Sequence, residues 1–209
     1  TNLTNDGTIS GTAGDDFGQG IVLASTSTIT NLTNDGTISG TAGDDFGQGI
    51  VLASTSTITN LTNDGTISGT AGDDFGRGID LTNSTITNLT NDGTISSSAG
   101  DDFGFGINLT SSTITNLTND GTISGTAGNN TGQGIVLSSS TITTLTNDGT
   151  ISGTAGNDIG HGISLFTSEI TNLTNDGTIT GTATVDFGRG IVLSSNSTIG
   201  TLTNDGTIS

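Results

Sequence analysis

LTNDGTIS occupies residues 3–10 and returns unchanged at 32–39, 61–68, 89–96, 117–124, 145–152 and 202–209. A further copy, at 173–180, ends in Thr instead of Ser. A catalytic motif is needed once, in one pocket. A motif written eight times marks something that happens once per structural layer, so the repeat is read before any single residue. Its leucines stand at Leu3, Leu32, Leu61, Leu89, Leu117, Leu145, Leu173 and Leu202, spaced by 29, 29, 28, 28, 28, 28 and 29 residues. Residues 1–29 and 30–58 are identical, which points to duplication. Residues 1–209 read as one repeat array, and as a section of a longer one because both ends fall inside a repeat.

The length variation is confined to one place. From each motif Leu to the column Phe17, Phe46, Phe75, Phe103, Thr131, Ile159, Phe187 the distance is always 14 residues. All slippage falls between the second Leu and the next Ile, as in LASTSTI (52–58) against LTNSTI (81–86). A turn that tolerates insertion belongs there, and the rest of the repeat holds a fixed register.

Inside a repeat the apolar period is two. Over 32–42, Leu32, Asn34, Gly36, Ile38, Gly40 and Ala42 share one side, and Thr33, Asp35, Thr37, Ser39 and Thr41 the other. No window carries the i, i+3, i+4 pattern of a helix. Thr, Ile and Val suit strands, while Asn-Asp-Gly supplies corners. One repeat cannot bury its apolar side alone. If each repeat is a coil stacked ~4.8 Å above the last, identical residues fall above one another. The columns headed by Leu32, Ile38, Phe46, Ile50, Leu52 and Ile58 then form a continuous core. With no Pro in the chain, the hydrogen-bond ladder has no interruption. The predicted fold is an all-β, right-handed parallel β-helix of about seven coils, ~35 Å long, its hand inferred from the crossover rule.

ITNLTNDGTISG followed by GIVL resembles the repeats in passenger regions of bacterial autotransporters and haemagglutinin-like surface adhesins. The resemblance covers the whole chain. It implies a right-handed β-helix, secretion, and a role at the bacterial surface.

Composition narrows the function. Hydrophobic residues make up 28% and charged residues 11%, and the formal net charge is −18, with Arg77 and Arg189 the only strong bases. A phosphate backbone needs a basic partner surface, so nucleic acid is disfavoured, as is an anionic membrane face. No apolar run approaches the ~20 residues of a membrane span. The absence of Cys removes disulfides and thiolate metal sites.

Four constellations remain to be weighed. Asn5, Asn34, Asn63, Asn91, Asn119, Asn147, Asn175 and Asn204 point inward by the pleat, and stacked amides donate to one neighbour and accept from the other. They are read as a structural ladder. Asp6, Asp35, Asp64, Asp92, Asp120, Asp148, Asp176 and Asp205 form an acidic column at the corner. A paired column, Asp15 with Asp16, Asp44 with Asp45, Asp73 with Asp74 and Asp101 with Asp102, offers the oxygens that Ca²⁺ wants. Later coils replace it with Asn129 and Asn130, Asn157 and Asp158, and Val185 and Asp186, so Ca²⁺ is an alternative reading and no other cofactor is expected. Glycosidase chemistry needs two carboxylates in unlike environments, which repetition denies. His161 sits between glycines in the column Gln19, Gln48, Arg77, Phe105, Gln133, Arg189 and is read as solvent-facing. The chain is therefore not read as an enzyme, and its Asn-x-Ser/Thr triplets follow from composition.

Two functions follow. The first is an extracellular structural or adhesive rod, shaft or head-to-tail filament on a bacterial surface. Its partners would be further copies of itself, or cell-surface glycans or proteins. The second is ice binding. Thr37, Ser39, Thr41, Thr57 and Thr59 would repeat every ~4.8 Å along the rod and ~6.7 Å along the strand.

Overall fold

The computed structural model describes residues 1–209. It contains no helix. Three parallel sheets run the length of the molecule. Sheet A has eight strands, from Asn2–Asn5 to Thr198–Asn204; sheet B has eight, from Thr8–Thr12 to Thr207–Ile208; sheet C has seven, from Phe17–Leu23 to Phe187–Ser194. The chain visits A, B and C in turn, and each strand pairs with the equivalent strand of the next repeat. This is a parallel β-solenoid of about seven coils.

Register is like on like. Leu32 pairs with Leu61, Ile38 with Ile67 and Leu52 with Leu81, and the same columns continue through the later coils. The interior is built from Leu and Ile. Leu32, Ile38, Ile50, Leu52 and Ile58 are all 1% exposed or less. Between coils the main chain is tied even at the corners, where Asp35 and Gly36 both donate to the Asn5 carbonyl.

Phe46 corrects the expected core. It is half-buried on the outside of sheet C, and Phe17 is 58% exposed. The reason is a break in the pleat. In sheet C, Gln48 pairs with Arg77 and Ile50 with Ile79, and Gly49 between them pairs with nothing. One unpaired residue inverts the alternation, so counting back from Ile50 assigns Phe46 to the wrong face. The same break occurs in sheet A at Thr59, which places Ile58 and Leu61 on one face although they are three residues apart. Thr59 therefore lies outside the regular ladder of its strand.

The Asp-Gly pairs stand at the corners between sheets A and B as predicted, but the glycines act there and elsewhere by their size and not by left-handed backbone. No glycine has positive φ. They permit close approach. A Cβ on Gly40 would lie 1.9 Å from the Gln48 carbonyl oxygen, and one on Gly47 would lie 1.8 Å from that of Thr70. Sheets B and C thus meet backbone to backbone along a glycine seam, with the Leu/Ile core beside it. At the Asp-Gly corner a Cβ on Gly36 would sit 2.0 Å from the Gly7 oxygen one coil below.

Left-handed backbone appears only in the variable turn, and only at non-glycine residues. Coils of 29 residues use two such residues, Ser25 and Thr26, Ser54 and Thr55, and Ser195 and Asn196. Coils of 28 use one: Asn83, Ser111, Ser139 and Thr167. The inserted residue is absorbed as one more left-handed step, so the flanking strands keep their register.

Candidate functional site

The buried asparagines form one continuous chain of amides. Each Nδ2 donates to the Oδ1 of the next coil at 2.7 Å, from Asn5 to Asn34 and onward to Asn204. The same Nδ2 also reaches the carbonyl of the Gly two residues on, as Asn34 does to Gly36 at 3.2 Å. Asn34 through Asn175 are fully shielded from water, so these bonds, with a third from each Nδ2 to a Thr carbonyl of the next coil at 3.2–3.3 Å, satisfy groups that water does not reach.

Two further ladders lie beside it. Asn31, Asn60, Asn88 and Asn116 each donate down the stack, Asn31 to Asn2 at 2.8 Å. This outer ladder stops at Thr144. The other is made of serine. The main-chain N–H of Ser84, Ser112 and Ser140 donates to the hydroxyl of the next coil's Ser at 3.0–3.1 Å. Each hydroxyl donates to a carbonyl in its own turn, three residues back in a 29-residue coil (Ser56 to Ala53) and two back in a 28-residue coil (Ser84 to Thr82). The signal was present in the sequence: Ser27, Ser56, Ser84, Ser112, Ser140, Ser168 and Ser197 all stand directly before the Thr-Ile or Glu-Ile that opens sheet A.

The acidic columns lie at the surface. In the corner column Asp64 and Asp92 are exposed. Desolvation between stacked neighbours, then the charges of Asp120 and Asp64, hold the Asp92 carboxyl above its ordinary range. In the paired column Asp74 is raised for the same reasons, first desolvation, then Asp45, Asp102, Asp73 and Asp44. The pair ends in an amide cap. Asn129 donates to Asp101 at 2.6 Å and Asn130 donates to Asp102. Asn in coil 5 thus removes two charges and supplies two donors where the sequence alone showed only a lost pair.

The carboxylates considered for Ca²⁺ are Asp15 and Asp16, Asp44 and Asp45, Asp73 and Asp74, and Asp101 and Asp102. They stand in stacked rows, one pair per coil, and no group of three acidic or imidazole side chains converges on one metal-sized point. Asp15 and Asp16 are both exposed. What ties them to the next coil is the main chain: Asp45 N–H donates to the Asp15 carbonyl at 3.0 Å, and Phe46 N–H to the Asp16 carbonyl at 2.8 Å. Those carbonyls are therefore already engaged in the ladder.

Beside the paired Asp column, Phe17, Phe46, Phe75 and Phe103 stack with ring centroids 4.9 Å apart and planes within 10°. Arg77 lies against this stack, its guanidinium 5.0 Å from the Phe75 centroid, and Arg189 lies 4.8 Å from that of Phe187. Asp80, only 5% exposed, accepts from Arg77 at 2.8 Å, Gln48 at 2.7 Å and Asn108 at 2.7 Å. Sequence reading overlooked this cluster because Asp80 replaces a valine in an outward column.

His161 also differs from expectation. It is 6% exposed, not solvent-facing, because Gln133 and Arg189 of adjoining coils cover it within their shared column. Its Nδ1 lies 3.5 Å from Gln133 Nε2, and its Nε2 has no partner. Burial, and then the positive charge of Arg189, push its pKa below the usual imidazole range. No hydroxyl or carboxylate adjoins it as a hydrogen-bond partner.

Thr37, Ser39 and Thr41 face outward from sheet B in register with Thr66, Ser68 and Thr70. Finally, one cleft opens at the variable turn of coils 5–7, lined by Ser139, Thr141, Thr167, Glu169, Asn196 and Thr198, over Ser140 and Ser168. No apolar side chain lines it. No family model, curated protein or solved structure matches the chain.

Proposed function

We propose that the chain is the shaft of an extracellular structural or adhesive protein of a bacterial surface, akin to autotransporter and haemagglutinin-like passenger repeats. The observation that carries this reading is the uninterrupted stacking of like columns through all coils, with the apolar residues inside and hydroxyl, amide and carboxylate groups outside. Such an array gains length by adding coils, each of which contacts only its neighbours. Its stacked carboxylates keep parallel rods apart by repulsion. No catalytic residue is proposed. The same coil-on-coil pairing would join copies head to tail, because coil 2 already accepts an identical coil 1.

Immunogold labelling of intact producing cells with an antibody to the repeat tests the location. Label on surface projections is expected, and label seen only after permeabilisation sinks the reading. Sedimentation of the purified chain over a wide concentration range tests head-to-tail joining, and a constant monomer mass would refute it.

A second reading rests on the outward Thr37–Ser39–Thr41 lattice of sheet B, which offers a rigid, evenly spaced hydroxyl face to ordered water. Thermal hysteresis of a dilute solution is its test, and freezing at the colligative point rejects it.

A further inference from the structure

Composition accounts for how many Asn-x-Ser/Thr triplets the chain carries, but only the fold decides which of them keep a free amide at the surface. Such a triplet is the acceptor pattern for an N-linked sugar, a bulky group that needs a surface position. The structure sorts them. Asn108 is buried and donates to Asp80 at 2.7 Å. Asn31, Asn60, Asn88 and Asn116 lie on the outer face of sheet A, but each is committed to the outer ladder by a bond of 2.8–2.9 Å to the amide below. A sugar on one of these would disturb its own ladder bond and crowd an amide only ~4.8 Å away in the next coil.

Asn172 stands in the same column and escapes the ladder. Its register partners are Thr144 below and Thr201 above. It therefore has no amide on either side, its side chain forms no hydrogen bond within the protein, and it is exposed. Leu173 is buried in the core at 1% exposure, so the alternation of the strand turns Asn172 and Thr174 to the same outward face. Asn83 and Asn196 also head triplets, but their backbone is left-handed, with φ of 49° and 63°. Period-two alternation does not align their amides with the hydroxyl two residues on.

We propose that Asn172 is a glycosylation site, modified by a glycosyltransferase that uses a glycosyl phosphate donor carried on a nucleotide or a lipid. Asn172 Nδ2 attacks the anomeric carbon of the donor. The N–C1 bond forms as the C1–O bond to phosphate breaks. The phosphate leaves with the bonding electron pair, and one amide proton passes to a base of the transferase. The Thr174 hydroxyl, on the same face, completes the pattern that the transferase reads. Thr144 and Thr201 leave the first sugar free of an amide neighbour above and below. This inference goes beyond the shaft reading and stands without it.

The test is mass spectrometry of the full chain purified from producing cells. Digestion on the N-terminal side of aspartate releases residues 158–175, in which Asn172 heads the one triplet. This peptide is expected to be heavier by whole hexose or hexosamine units. Thr174→Val should abolish the addition and Thr174→Ser should retain it, both with an unchanged circular dichroism spectrum. Asn172→Thr, which installs the residue of the adjoining coils, should also abolish it. An unmodified 158–175 peptide overturns the proposal. So does equal addition to the ladder residues Asn60 and Asn88, or addition that survives Thr174→Val. Two further arms identify the donor's carrier. Transfer to the unmodified chain by soluble extract supplied with a nucleotide-linked hexose marks a nucleotide, and transfer by the membrane fraction alone marks a lipid. Transfer by neither, to folded or chemically unfolded chain, overturns the proposal. Surface labelling of cells is independent of all these results, so loss of the location reading and loss of the site are told apart.

Discussion

A single Asn shows how repetition converts a costly residue into a stabilising one. A buried amide without partners is destabilising, yet Asn119 accepts from Asn91 and donates to Asn147, each at 2.7 Å. Asn119→Ala orphans the Asn147 Oδ1 acceptor and takes from Asn91 Nδ2 its shortest bond, leaving it the longer ones to the Gly93 and Thr122 carbonyls. We expect a loss of about 1–3 kcal/mol in denaturant unfolding, the cost of leaving buried polar groups unsatisfied. Asn204→Ala, at an exposed position, should cost less. His161 supplies a pH signature. Its folded pKa lies below 6.5, so under that pH the unfolded chain binds a proton that the folded chain refuses. Stability on its account is therefore complete above 6.5 and falls as the solution is acidified. His161→Gln, matching Gln133 in the coil below, should flatten that fall in melting curves recorded between neutral and mildly acid pH.

At the scale of the strand and turn, the glycine seam and the left-handed turn set the tolerance for change. Ser97 stands in the seam column, between Gly69 and Gly125. Its hydroxyl is buried without a partner. The backbone yields slightly there: a Cβ on Gly76 would meet the Ser98 oxygen at 2.2 Å, against 1.8 Å for Gly47 and Thr70. Ser97→Gly should therefore stabilise the fold by about 1 kcal/mol, by removing an unsatisfied polar group. Gly125→Ala should destabilise it, because the new Cβ falls 1.9 Å from the Gln133 oxygen. In the turn, Ser111 has φ of 50°. Left-handed backbone costs a side-chain-bearing residue roughly 1–2 kcal/mol, so Ser111→Gly should recover part of that, less the entropy glycine adds to the unfolded chain. Chemical denaturation compares all three variants. The element scale also shows where sequence reading stops. The period-two pattern located Leu32, Ile38, Ile50 and Leu52 because each lies in an unbroken stretch of pleat. It misplaced Phe46 because Gly49, between Phe46 and Ile50, leaves the ladder. Nothing in a Gly-x-Gly triplet distinguishes a paired glycine from an unpaired one.

Across the whole molecule the dominant long-range force is self-repulsion. With a net charge of −18 and carboxylates stacked coil on coil, added salt should raise the melting temperature. Acid should do the same over a limited range. Asp74 and Asp92 have folded pKa values raised above 3.8, so above that pH the folded chain binds protons that the unfolded chain does not. Their repulsive contribution is relieved as pH falls through those raised values. In the His161→Gln variant, where the opposing histidine effect is absent, melting temperature is expected to rise on acidification from neutral pH toward about 4. A monotonic fall from neutrality would contradict the role assigned to the stacked carboxylates. Nothing in the structure explains why the corner column keeps Asp in all eight copies in place of a neutral turn residue.

The sequence by itself determined the solenoid: the repeat length, the like-on-like register, the Leu and Ile columns and the inward Asn ladder. These follow from local alternation and from copying, and both are visible in a string of letters. Only the tertiary structure decided which face Phe46 and His161 occupy, that the glycines serve as a seam between two backbones, and that Asp80 is the acceptor at the centre of a buried polar cluster. It also decided that Asp16 and its partners run in rows along the surface, and that Glu169 and Asn196, 27 residues apart in the chain, share one cleft. The reason is physical. A pleat break inverts sidedness without a residue type of its own, and a contact between coils depends on what stacks above and below.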